Sequence, residues 1–175
     1  MANEDYKVRA THCDHMANEE EVYEALVRAT APLEDAWARL AKVGRIGIKI
    51  NHDKRPDAHV THKGMLQQLV CDKVVRATLR LLRERTTADI VCTDVSYYAM
   101  YNDTDPYESA TALQALRDYG VEYVIGHEAP TKVYPVPGGG QMFSQYLLPE
   151  SAVEVDEFIS LAKMKNHGFM GVTLS

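Results

Sequence analysis

Lys163, Lys165 and His167 alternate in the segment AKMKNHGFMGVTLS, so in extended chain their side chains emerge on one face. Two ammonium groups beside an imidazole make an anion pocket or a proton-transfer site, with Lys165 and His167 as the catalytic pair and Lys163 as a ligand contact. A solvated basic tail is the competing reading. A second group lies in RIGIKINHDKRPDAHVTHKG, residues 45–64. Lys49 sits inside an apolar run, so its ammonium must reach the strand end, an acid or an anionic ligand to escape a desolvation cost. Asn51 can hold a ligand or brace the turn. His59 and His62 are spaced i, i+3 and, with His52, offer imidazoles to a divalent metal; ordinary loop histidines are the alternative. A third group, Asp94 with Ser96, closes the run DIVCTDVS and can orient a substrate or a cation, or simply cap a turn.

Other constellations carry less. Thr11–His15 reads THCDH, which holds several metal donors, but adjacent residues in extended chain point to opposite sides and at most two converge. The run Pro137-Gly138-Gly139-Gly140 can offer backbone N–H groups to an anion, yet it lacks the Lys-Ser/Thr of a phosphate loop and reads better as a turn. Tyr97, Tyr98, Tyr101 and Tyr107 form an aromatic cluster of the kind that usually packs or lines a loop.

Those groups need a scaffold, and the totals describe one. The chain has 175 residues, 46% hydrophobic and 25% charged, which suits one folded domain spanning 1–175 with a real core. Its net charge of −6 carries no basic patch for nucleic acid. No apolar run has the length of a membrane span, and the N-terminus MANEDYKVRA has no signal-peptide core, so a cytoplasmic location is expected. Cys13, Cys71 and Cys92 follow no CxxC spacing; three thiols cannot by themselves ligate a four-thiolate iron–sulfur cluster.

Periodicity then places the elements. Tyr6–Thr11 alternates as a short strand. Asn18 before three glutamates reads as a helix start, and Val22, Ala25, Leu26 and Ala29 form its apolar stripe. Pro32 interrupts that helix, which resumes to about residue 41. Ile46–Ile50 is a strand buried on both faces. Thr61 can cap a long helix over 62–85. Asp89–Val95, Val121–Ile125 and Asp156–Ala162 read as further strands, with a helix at 105–119 stopped by Gly120. Residues 130–149 form a β-rich excursion. Alternating strands and helices predict a three-layer α/β domain with a mainly parallel sheet flanked by helices. Ligands in such sheets bind outside the carboxyl ends of the strands.

Two blocks at this separation resemble the uncharacterised family known as domain of unknown function 362. They are the strand ending Lys49-Ile50-Asn51, with its Thr-containing loop and the Val-Val-Arg-Ala helix, and the later Lys163, Lys165, His167, Thr173 and Leu174. The resemblance covers the chain from about Tyr6 to Ser175. Asn166 stands where the family usually has Thr or a small residue. The resemblance implies an α/β fold that continues beyond Ser175, so an open apolar edge and self-association are expected. It also implies that members are often exported or fused to ferredoxin-like iron–sulfur modules, which raises a non-catalytic accessory domain for a redox or iron–sulfur partner. The loop NHDKRP, residues 51–56, is in turn similar to the Asp-x-Thr-Arg-Pro loop in the N-terminal domain of nickel-pincer lactate racemases, with Lys54 in the Thr position.

The leading expectation is a small anionic molecule, with or without a metal, bound where Lys49, Asn51 and Asp94 meet Lys163, Lys165 and His167. On this reading Lys49→Met or Lys165→Met keeps the fold and abolishes anion binding.

Overall fold

Apolar runs too short for helices dominate the middle of the chain, and they assemble into one sheet. The computed structural model describes residues 8–52, 59–94, 111–168 and 170–173. Helices α1 (Glu19–Thr30) and α2 (Glu34–Leu40) lead to strand β1 (Arg45–Ile50) and a small hairpin of β2 (Thr61–His62) and β3 (Met65–Leu66). Then follow α3 (Asp72–Arg85), β4 (Asp89–Asp94), α4 (Thr111–Asp118) and β5 (Glu122–Ile125). A second hairpin joins β6 (Thr131–Pro135) to β7 (Gln145–Pro149), and the one-turn α5 (Glu150–Val153) leads into β8 (Glu157–Leu161). A last hairpin pairs β9 (Lys165–His167) with β10 (Gly171–Thr173).

The main sheet is parallel throughout, in the order β5-β4-β1-β8. Ile46 lies opposite Ile90 and Ile48 opposite Cys92, so one face of the sheet is a continuous apolar surface. It packs on Val75, Leu79 and Leu82 of α3 and Leu113 and Leu116 of α4, all nearly inaccessible to solvent. The opposite face is more thinly covered. There α5 lies against β1 and β4, and the Phe158 ring crosses the backbone of Gly47. A Cβ at Gly47 would stand 2.8 Å from that ring, so only glycine permits the approach. The sheet is thus an α/β fold flanked by helices, as the alternation of strand and helix patterns predicts.

Two local expectations change. Of the strand expected at Tyr6–Thr11, residues 8–11 are not a strand, since no strand among the described residues offers them a ladder, and residues 6–7 lie outside the described residues. Helix α3 starts at Asp72 rather than near residue 62: residues Thr61–Leu66 form the β2–β3 hairpin, turned by Lys63 and Gly64, both at positive φ. The first half of the helix expected at 105–119, residues 105–110, lies outside the described residues. By contrast, α1 begins with the expected cap. The Asn18 side chain accepts from the Glu21 N–H (3.0 Å) while the Glu21 carboxylate accepts from the Asn18 N–H (2.7 Å).

A polar cluster holds α1 on α3. Arg80 stacks 3.7 Å above the Tyr23 ring and pairs with Glu20 and Glu84, and the Tyr23 hydroxyl donates to Glu84. That donation raises the Tyr23 phenol above its ordinary range and lowers the Glu84 carboxyl below its own.

Cys92 stands in the middle of β4, fully buried, and its burial pushes the thiol far above the ordinary range. Below the ordinary thiol pKa of about 8.5 the group is neutral folded and unfolded; above it only the unfolded chain loses the proton. Stability therefore falls as pH rises. The Cys92 contribution to that loss reaches about 2 kcal/mol near pH 10, and urea titrations of Cys92→Ala across the same range should lack it.

Candidate ligand site at the carboxyl edge of the sheet

Parallel strands deliver their carboxyl ends to one edge, and Lys49, Asn51, Asp94 and Lys163 arrive there at or just past the ends of three strands. Lys49 and Thr93 are register partners on β1 and β4, which sets Lys49 beside Asp94, the last residue of β4. The Lys49 ammonium lies 3.8 Å from the Asp94 carboxylate, which is buried, while the lysine is partly open to solvent. Asp94 also accepts from the backbone N–H of the buried His52. Lys49 thus reaches an acid, one of the outlets its place in an apolar strand demanded.

Asn51 serves as a brace. It is buried directly after β1, and its Nδ2 donates to the Gln68 carbonyl at 2.7 Å. Its Oδ1 accepts from the Lys163 N–H at 2.8 Å. One side chain therefore fixes the loop before α3 and the turn after β8 to the end of β1. Lys163 is brought to the edge by its backbone, and among the described residues its ammonium faces no acidic partner.

Lys165 and His167 follow on β9, two and four residues beyond Lys163, and share a face of the last hairpin as their alternation predicts. His167 Nδ1 accepts from the Met170 N–H at 3.1 Å, which places the neutral ring's proton on Nε2. Ser96, the tyrosine cluster and residues 53–58 of the NHDKRP loop lie outside the described residues. His62 is exposed on β2 and His59 precedes it in the extended arm of the same hairpin, where residues three apart face opposite sides. Among the described residues, no three His, Cys, Asp or Glu side chains are grouped to hold a metal. The glycine run turns the β6–β7 hairpin, with the Gly139 N–H given to the Val136 carbonyl at 2.9 Å.

The structure adds a feature that periodicity does not reveal. A cavity of about 340 Å³ lies between α1, the start of α3 and Lys163. Its rim holds Thr11, Cys13, Asp14 and His15 from the THCDH stretch, and Lys73 stands in the first turn of α3. The exposed Cys13 and half-buried Cys71 both line it. The only available signal was the placement of THCDH immediately before α1.

A family match runs over residues 46–175, from the first buried isoleucine of β1 onward. The chain belongs to the family described as Domain of unknown function (DUF362). No curated protein and no solved structure matches it. Helices α1 and α2 precede the DUF362 stretch, so the cavity joins a wall from outside that stretch to one from within it. No helix among the described residues is long and apolar enough to cross a membrane.

The Asn51 geometry generates a stability prediction. Asn51→Ala strands the part-buried Gln68 carbonyl and Lys163 N–H, and should cost about 2 kcal/mol in urea unfolding. Lys49→Met should also destabilise, by about 1 kcal/mol, because it removes the cation beside a buried carboxylate. A loss of that size leaves the fold intact, as expected for Lys49→Met.

Proposed function

We propose that this DUF362 chain binds a small anionic molecule at the carboxyl edge of its sheet. The observation that carries the reading is the placement of Lys163. Asn51 holds its backbone against the end of β1, and Lys163 lines the cavity without forming an ion pair among the described residues. Lys73 adds a second ammonium at the same cavity; one of its protons goes to the Ala17 carbonyl at 2.6 Å, leaving two for a ligand. Asp14, the acid on the rim, is already engaged by the Met16 N–H at 2.7 Å and by His15 at 3.4 Å. Two lysines concentrated at one edge of a chain with net charge −6 focus an attractive field on an anion.

In this reading Asn51 and Asp94 position, Lys49 neutralises Asp94, and Lys163 contacts the ligand. Lys165 and His167 stand on the hairpin that follows Lys163 and do not line the cavity, so this reading gives them no contact with an anion bound inside it.

A second reading, a non-catalytic accessory domain for a protein partner, draws on the β6–β7 hairpin. Val133 and Leu147 are paired across it and exposed, with Met142 and Phe143 exposed in its loop. Self-association would use the same surface. A thermal-shift screen of carboxylates and phosphates separates the two, since binding to the folded state raises the melting temperature. The wild-type chain should be stabilised by anions, and Lys163→Met should abolish the shift while melting normally in buffer. Equal shifts in wild type and Lys163→Met would exclude the proposed site, and a blank screen would favour the accessory reading.

A further inference from the structure

We infer that the anion is the head group of a short-chain aliphatic acid whose tail lies between α1 and α3, an inference that rests on the reading just given. The cavity is not uniformly polar. Its charged end is at the helix starts, where Lys73 in the first turn of α3 bonds to Ala17 just before α1, and where Lys163 leaves β8. Beyond that end the walls are methyl and aliphatic groups, with Ala25 and Ala29 one turn apart on α1 facing Val74 and Ala77 of α3. Two helices packed through alanines at facing positions leave a slot that larger side chains would have filled.

Each half of the cavity restricts the ligand. An inorganic oxyanion would satisfy the lysines and leave the aliphatic wall uncovered. A cation would meet two ammonium groups against the single carboxylate of Asp14. A volume of about 340 Å³ sits at the low end of small-molecule sites, too little for a dinucleotide or a long lipid chain. A compact acid with one charged end and an unbranched apolar body matches both halves.

The test is calorimetric titration of the full chain with acetate, butyrate, hexanoate and octanoate at fixed ionic strength, with inorganic phosphate as a head-only probe. Each methylene entering the slot should raise affinity about four-fold, until the slot is full and the series levels. Ala29→Leu, at a half-buried position, should flatten the series and leave phosphate affinity unchanged. Leu26→Ala should move the plateau to a longer acid, which keeps the test decisive if the leucine variant fails to fold. A flat or absent acid series alongside normal phosphate binding overturns the inference and leaves the anion site standing. Absence of binding by phosphate and every acid removes both.

Discussion

Strand β1 is tied at both ends to distant parts of the chain by side-chain hydrogen bonds, and the rest of the structure is arranged around that constraint. At its start the Asp156 carboxylate accepts the N–H groups of Gly44 and Arg45, each at 2.9 Å. At its end the Asn51 amide gives its donor to Gln68 and its acceptor to Lys163. Backbone pairing to β4 and β8 fills the interval. A buried amide with both functions used is satisfied, and a buried backbone group without it would lose the hydrogen bonds that water supplied in the unfolded chain. The requirement to satisfy polar backbone at the strand end thus produces the geometry that sets Lys163 at the sheet edge.

The same edge illustrates how neighbouring residues of similar type can differ in their partners. Lys49 and Lys163 are both lysines at strand ends. Lys49 has a buried carboxylate 3.8 Å away and is committed to it. Lys163 is held through its backbone, which leaves the ammonium to its surroundings. Position along a strand does not distinguish them; the presence of Asp94 on the adjoining strand does.

Much of the sheet was legible because its strands are apolar on both faces. Ile46–Ile50 and the run DIVCTD have no polar alternation to obscure them, and their β-branched content argues against helix. The start of α3 was misplaced for an instructive reason. Leu66, Leu69 and Val70 continue the helical spacing backwards, and Leu69 and Val70 are indeed buried, but they belong to a hairpin and the loop beyond it. Burial was read correctly and conformation was not. The Lys63-Gly64 pair between short runs was the available sign of a turn. For the candidate site, residue types at strand ends pointed to Lys49, Asn51, Asp94 and Lys163, which the structure places at one edge of the sheet. What each bonds to depends on register between segments far apart in sequence, which no local pattern contains. The cavity was illegible for the same reason, since it is the space between two helices.

The Asn51–Lys163 bond closes a loop of 112 residues, and this has a consequence for the order of folding. Strands β1, β4 and β5 are joined by successive βαβ units, so each pairing requires only its own crossover. Strand β8 must instead return past all of them to reach the outer side of β1. Its docking carries the largest loop-closure cost in the sheet and is expected late on the folding route. Lys163 arrives with it. The helices and the three earlier strands can therefore assemble into a compact, hydrogen-bonded body while the carboxyl edge is still incomplete, and that edge is finished only when β8 docks.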